Sequence, residues 1–270
     1  MFSLFFLIFC IRTLNVGAQS FYNSFTPYLK AGSYTKSPGL FASFANTATL
    51  AGSTSFSAGA YGEKKFLLQE LASFSGACIV PAQSGVFGIQ LHNFGNGSYN
   101  EFRGGISYAR SLNEKLDVGV GFNYNFLSLQ GYGSSSVVSA DVGIIFHFTE
   151  QLHGGIQLSN LTRSFINKSK EDRLFSLYSF GVGYDVSDKL FITTEVEKYS
   201  NLPASLNASL QYTFVNTLFA KGGIATSNST VFFGTGILID NFFKIELVAS
   251  LHPQLGLTPG LMLVYKKEKE

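Results

Sequence analysis

The chain has 270 residues, of which 46% are hydrophobic, 15% aromatic and 13% charged, with a formal net charge of +2. This balance excludes a nucleic-acid partner, which needs an excess of basic residues to neutralise phosphates, and the abundance of apolar residues excludes a disordered chain. Because the charged fraction is about half of the ~25% usual in soluble domains, and Phe, Tyr and Gly are plentiful, the composition favours strands that face an apolar environment.

Residues 1–18 are predicted to be a secretory signal peptide. The first ten residues, MFSLFFLIFC, form an apolar run that is too short to span a bilayer as a helix. Val16 and Ala18 stand three residues and one residue before a possible cleavage site at Gln19. No basic residue precedes the apolar run, so an uncleaved anchor is the alternative interpretation.

Residues 19–53 are rich in Ser, Ala, Thr and Gly and show no clear period. Such a segment is either a flexible leader or a plug-like element that lies inside the structure formed by the residues after it. A barrel of fourteen strands would have a lumen wide enough to need filling.

Residues 54–266 alternate with a period of two, which is typical of β-strands. In LDVGVGFNYNF, at 116–126, every large apolar residue stands at an even position, and the odd positions hold Asp, Gly and Asn. Fourteen such segments are predicted as strands. They are 54–61, 70–80, 85–94, 100–110, 116–127, 136–148, 152–161, 174–186, 189–199, 203–214, 217–226, 229–239, 242–252 and 257–266.

The connections between these strands alternate between short turns, such as 149–151 and 187–188, and longer loops, such as 61–69 and 162–173. This alternation is typical of outer-membrane hairpins. We therefore predict an all-β fold, an up-and-down antiparallel transmembrane β-barrel of about 14 strands with an N-terminal plug-like segment. Outer-membrane lipid of a Gram-negative bacterium would surround it, and residues 267–270 would form a charged tail. A soluble sandwich or lipocalin-like barrel is the alternative. In such a fold the polar face of the strands would meet water, and a face of Gly, Ser and Asn with few charges is poorly suited to that.

Two histidines are candidates for a site near the periplasmic rim. His147 and His153 flank the 149–151 turn on inward positions, so they should approach each other across a hairpin. A metal would need a third and a fourth ligand, and Asp141 and Glu150 are the only local candidates. No metal is predicted, and these residues are interpreted as polar residues of the lumen.

Further charged residues occupy inward positions of the predicted strands. They are Asp185, Glu195, Glu197, Lys221, Lys244 and Glu246. Glu195 and Glu197 are two residues apart and therefore share a face, with Asp185 expected on the neighbouring strand. Paired carboxylates can perform acid–base chemistry, but an ion-pair network that closes the lumen is favoured over catalysis. No catalytic residue and no cofactor are predicted.

One element resembles a known family. The sequence FANTATLA at 44–51, followed by FSAGAY at 56–61, resembles the N-P-A-G-L-A element and first strand of the PorV/PorQ-type barrels, which are grouped with the FadL-type hydrophobe transporters. The matching residues are Asn46, Ala48, Leu50 and Ala51. Thr47 replaces the proline of the element and Thr49 its glycine. The resemblance implies a fourteen-stranded outer-membrane barrel with an N-terminal plug.

Two functions are compatible with this resemblance. The first is a non-enzymatic accessory barrel that binds secretion-system proteins in type IX-like export or cell-surface assembly. The alternative is a FadL-like transporter that binds a small hydrophobic ligand. Transport predicts an apolar cavity near the plug. The polar inward face of the strands argues against such a cavity, whereas Phe191 and Phe219, at inward positions, argue for it. The facing also predicts that arginine is costly at Val120 and tolerated at Asn123.

Overall fold

The computed structural model describes residues 25–162, 174–227, 229–240 and 242–267. The predicted signal peptide and the last three residues of the charged tail therefore lie outside the described residues. Fourteen antiparallel strands pair in chain order, and β1 closes the barrel by pairing with β14. The prediction of a fourteen-stranded antiparallel barrel is confirmed.

The bounds of the strands lie within three residues of the predicted ones. The strands are β1 Ser57–Lys64, β2 Ala72–Ala82, β3 Gly85–Gly95, β4 Tyr99–Asn113, β5 Leu116–Leu129, β6 Gly133–His147, β7 Leu152–Ser159, β8 Leu177–Asp185, β9 Leu190–Tyr199, β10 Ala204–Val215, β11 Leu218–Ala225, β12 Thr230–Ile239, β13 Phe243–His252 and β14 Gly256–Lys266. The helices are α1 Pro27–Lys30 and the 3-10 helices Leu40–Phe44, Thr47–Gly52, Lys65–Leu67 and Gln69–Leu71. Among the described residues, no helix has both the length and the apolar content to cross a membrane.

The connections define two ends of the barrel. We call the end with the β2–β3 and β4–β5 connections the turn end, and the opposite end, with the β1–β2 and β7–β8 connections, the loop end. The loop predicted at 128–135, between the fifth and sixth strands, is shorter than expected. β5 and β6 pair as far as Leu129 and Gly133 and leave only residues 130–132 between them. Most of the predicted 162–173 loop lies outside the described residues.

The alternating apolar and polar residues of each strand form the outer and inner faces of the barrel wall. In β5, Val120 and Phe122 are 44% and 57% exposed on the outside, whereas Asn123 is 3% exposed on the inside. The same outward apolar face continues around the barrel, as with Phe180 of β8 and Leu247 of β13. A continuous apolar outer surface is what lipid requires of a barrel wall.

Residues 25–56, which we call the N-terminal segment, precede β1, and most of residues 25–51 lie inside the barrel. Tyr28, Asn46 and Ala48 are fully buried although none of them belongs to the sheet. α1 contacts β11 and β12, while the 3-10 helix at 47–52 contacts β3, β4, β5 and β6 on another part of the wall. Local chemistry supports these short helices. α1 begins with Pro27, and Asn46 caps the 3-10 helix by accepting a hydrogen bond from Ala48 N at 2.9 Å.

The inner face of the barrel carries a cluster of apolar residues that the strand pattern did not emphasise. The wall residues of this cluster come from β1–β4 and β12–β14 and are Tyr61, Ala77, Ile79, Val86, Ala109, Phe232, Val248 and Met262. They pack against apolar side chains of the N-terminal segment, including Leu29, Leu40 and Phe41. These inward apolar residues face protein rather than water, so burial stabilises them there.

Candidate functional site

The N-terminal segment touches the wall where inward positions are glycine. A Cβ atom added at Gly183 would overlap the carbonyl oxygen of Tyr34, and one added at Gly181 would overlap the Tyr34 ring. At Gly119, it would stand 2.6 Å from Ala48 N. The glycines of the inward face therefore do more than line a lumen, because they let the backbone of the segment lie directly on the strands.

Replacing Gly183 by alanine should weaken the docking of the N-terminal segment. The added methyl group must displace the Tyr34 backbone, and overpacking of this kind costs about 1–3 kcal/mol. Hydrogen exchange of residues 28–36 would measure the loss of protection. Gly222→Ala is the matched control, since the nearest atom to its Cβ would be 3.6 Å away. Unchanged protection in Gly183→Ala would contradict this account of the glycine contact.

A buried charged cluster joins the segment to β9. Lys30 forms an ion pair with Glu197, and Tyr34 Oη donates to Glu195 Oε1 at 2.8 Å. Asn207 Nδ2 donates to Glu197 Oε2 at 3.0 Å. Burial tends to lower the pKa of Lys30, but Glu197, and to a smaller extent Tyr199 and Glu195, raise it above its ordinary value. The ammonium is therefore charged, and it partly neutralises the two carboxylates.

The lysines predicted from the strand pattern have another partner. Lys244 Nζ lies 2.7 Å from Glu246 Oε1, and Lys221 Nζ lies 3.9 Å from Glu246 Oε2. Tyr28 of the N-terminal segment donates its hydroxyl to the same carboxylate. Glu246, rather than Glu195 or Glu197, is therefore the anion for both lysines. The cation of Glu197 is Lys30, which the strand pattern did not indicate because Lys30 precedes the strands.

The two histidines meet at the turn end. His147 and His153 stand opposite each other on β6 and β7, with their Nδ1 atoms 2.8 Å apart. His147 Nε2 lies 2.9 Å from Asp117 Oδ2, and His153 Nε2 lies 3.2 Å from Asp185 Oδ2. Asp185 also accepts from Thr35 Oγ1 at 3.0 Å, so this chain of polar groups ends on the N-terminal segment.

Asp185 is therefore hydrogen-bonded to the histidine pair. In the sheet it stands opposite Phe191 and not beside Glu195, where it was expected. Sequence reasoning also missed Asp117, although its odd position in β5 marked it as inward. Among the described residues, no group of three or more histidine, cysteine or acidic side chains is suited to hold a metal ion.

Asp141 is separate from the histidines and ties three strands together. It accepts hydrogen bonds from Arg103 Nη2 at 2.8 Å, from Asn123 Nδ2 at 2.9 Å and from Asn160 N at 2.9 Å. Each of these donors lies on a strand or on the loop that follows it, so the contacts of Asp141 hold neighbouring strands together. Asn123 belongs to the same network.

The element at 46–51 is held against the wall by its polar and apolar members. Asn46 Nδ2 donates to the carbonyl oxygens of Ile144 and Ile156 at 3.2 and 3.1 Å. Leu50 lies over Gly88, where a Cβ would stand 2.8 Å from Leu50 Cδ1. Ala48 is fully buried, and Ala51 packs at the edge of the apolar cluster.

Two of the cavities that adjoin the N-terminal segment lie at opposite ends of the barrel. The turn-end cavity, of about 450 Å³, is lined by apolar side chains that include Leu40, Ile79 and Met262 and by the charged side chains of Lys221, Lys244 and Glu246. The loop-end cavity, of about 220 Å³, is lined by aromatic and polar side chains, including Phe25 and Glu63. Leu29 and Ala31 line the first cavity and Lys30 lines the second, so α1 lies between them.

Comparison with solved structures identifies the architecture. The toluene transporter TbuX of Ralstonia pickettii matches with a TM-score of 0.66 and 12% identity, covering 91% of this chain and 98% of that chain. The two chains share one barrel fold. The monoaromatic hydrocarbon channel CymD matches with a TM-score of 0.64 and 10% identity, covering 86% of this chain and 94% of that chain.

A FadL homologue of Pseudomonas aeruginosa matches with a TM-score of 0.58 and 10% identity, covering 87% of this chain and 94% of that chain. No family model matches the sequence, and the search of curated proteins finds no match either. At these identities the resemblance to the FadL homologue and to the other two barrels is one of fold alone.

Proposed function

We propose that this protein is a non-enzymatic outer-membrane barrel that carries small hydrophobic molecules through its lumen. The observation that carries the proposal is the apolar cluster on the inner wall together with the turn-end cavity beside it, which Leu40, Ile79 and Met262 line. A barrel that conducts polar solutes has a polar, water-filled interior. Here the inner wall offers contacts that favour an apolar solute, which is the class named for the similar transporter and channel structures.

The N-terminal segment acts in this proposal as a plug that must shift during passage. α1 stands between the two cavities, and the Lys30–Glu197 ion pair anchors it to β9. In outer-membrane barrels the short turns are periplasmic and the longer loops extracellular. A ligand would accordingly enter at the loop end and leave through the turn-end cavity. Residues 1–18 would direct export before cleavage.

The type IX accessory role predicted first from the sequence has less support. The similar structures are transporters and channels, which favours the transport alternative. No secretion-system partner is part of the proposal.

A polar residue placed in the turn-end cavity should reduce uptake of an apolar solute. Ile79→Asn puts an amide into an apolar wall, where an unpaired polar group is disfavoured and holds water. In a Gram-negative host whose outer membrane slows toluene entry, we expect uptake of labelled toluene to rise with the wild-type protein. We expect that rise to fall at least about threefold in the variant, which corresponds to ~0.7 kcal/mol in a rate.

The control for this experiment is Ser205→Asn, a buried inward position on β10 that does not line the turn-end cavity. Folding of each variant is checked by its resistance to unfolding in detergent on a gel. No increase in toluene uptake with the wild-type protein, although the barrel is folded in the outer membrane, would refute the proposed transport.

A further inference from the structure

The loop-end cavity contains an unusual concentration of unpartnered polar atoms. Among the described residues, eight buried side-chain nitrogen and oxygen atoms have no hydrogen-bond partner, and three of them belong to residues that line this one cavity. They are Glu63 Oε1, Asn207 Oδ1 and Ser250 Oγ. Buried polar atoms in native proteins are nearly always paired, so a cluster of exceptions calls for a partner that enters the cavity.

The contacts around these three atoms show which of them can accept and which can donate a hydrogen bond. Glu63 Oε2 accepts from Tyr61 Oη at 2.8 Å, and Lys65 Nζ is 3.8 Å from Glu63 Oε1, beyond hydrogen-bond distance. Asn207 Nδ2 is committed to Glu197, which leaves its oxygen as an acceptor. Ser250 can both donate and accept. The unpartnered atoms of the cavity are therefore two acceptors and one hydroxyl, and they favour a ligand that carries a hydrogen-bond donor.

Three aromatic side chains also line the cavity, those of Phe25, Phe66 and Tyr199. Phe66 and Leu67 have φ angles of 55° and 62°, in the left-handed region that residues with side chains rarely adopt. Phe66 N donates to Thr258 Oγ1 at 3.0 Å, which holds this unfavourable backbone in place. Strained residues of this kind cluster at ligand clamps.

Size and charge narrow the ligand further. The cavity measures about 220 Å³, and a cavity of roughly 150 Å³ can hold one benzene molecule. Among the lining residues, the negative charges of Glu63 and Glu197 are balanced by the positive charges of Lys30 and Lys65. The cavity therefore has no net charge that would favour an ionic ligand. We propose that the loop-end cavity binds a neutral single-ring aromatic molecule that carries a hydroxyl group. This inference rests on the proposed function and specifies hydroxylated aromatics as the preferred class among the small hydrophobic molecules that the barrel carries.

The test compares single-ring ligands of similar shape that differ in whether they carry a hydrogen-bond donor. The full chain in detergent is titrated with 4-fluorophenol, 4-fluorotoluene and 4-fluoroanisole, and fluorine NMR separates protein-bound ligand from ligand dissolved in micelles. We expect 4-fluorophenol to bind at least tenfold more tightly than the other two. A site built to bind a hydroxyl group discriminates strongly against analogues without it, and 4-fluoroanisole has the oxygen but no donor.

Two serines provide matched variants. Ser250→Ala removes the unpartnered hydroxyl of the cavity without breaking a hydrogen bond within the protein, and it should weaken 4-fluorophenol binding by about three- to tenfold. Ser179→Ala removes an equally buried and unpartnered hydroxyl that does not line the cavity, and it should have no effect. Ser250→Leu should abolish binding by filling the space.

Equal binding of the three ligands to the wild-type protein, or equal affinities of Ser250→Ala and Ser179→Ala, would overturn the inference. Water alone would then satisfy Glu63, Asn207 and Ser250. Toluene uptake by cells reports separately on the proposed function. If uptake occurs and 4-fluorophenol shows no preference, only the hydroxylated substrate class fails. If uptake does not occur, the transport proposal itself fails.

Discussion

Replacing Lys30 by methionine is expected to detach the N-terminal segment from the inner wall. Lys30, Glu195 and Glu197 are all buried, and Lys30 is paired directly with Glu197. Removing one partner of a buried ion pair leaves an uncompensated charge and typically costs about 3–5 kcal/mol. Hydrogen exchange of residues 28–36 should report the loss of protection.

Lys36→Met is the control, because Lys36 belongs to the same segment but is exposed. The double variant Lys30→Met with Glu197→Gln should regain part of the protection, since it removes the carboxylate that has lost its cation. If Lys30→Met kept the protection of the wild-type segment, the ion pair would not be its anchor. If the variant also admitted toluene faster than the wild-type protein, the segment would be shown to act as the plug.

Arginine at position 120 is expected to destabilise the barrel by about 2–4 kcal/mol, the range for a cation on the lipid face near the bilayer midplane. Val120 lies near the middle of β5 with its side chain outward. A guanidinium at that position must be placed in hydrocarbon, or the bilayer must deform around it. Urea unfolding of the protein from lipid vesicles would measure the free energy of unfolding.

The structure changes the choice of control for this experiment. The facing pattern predicts that arginine is tolerated at Asn123, because that residue is inward. Asn123 is buried, however, and donates to Asp141 at 2.9 Å, so this substitution would break the β4–β6 network. Gln211 is a better control, since it is half-buried, inward and at the border of an open space at the turn end. Equal destabilisation by Val120→Arg and Gln211→Arg would contradict the assigned facing.

The candidate sites show where sequence reasoning succeeded and where it stopped. His147 and His153 flank one short turn, so local spacing was enough to place them opposite each other. Their outer partners Asp117 and Asp185 come from β5 and β8, and only the pairing of strands brings them into reach. Lys221 and Lys244 were recognised as inward cations, but their shared partner Glu246 depended on the register of β11, β12 and β13.

The sequence by itself determined the number of strands, their bounds to within a few residues and the face that meets lipid. These properties depend on a period of two along each strand and on turn residues between strands, which are local features. The tertiary structure decided how the lumen is filled. Lys30 and Glu197 are 167 residues apart, and Tyr28 and Glu246 are 218 residues apart. No local pattern encodes such contacts, because they arise only when the closed wall surrounds the N-terminal segment.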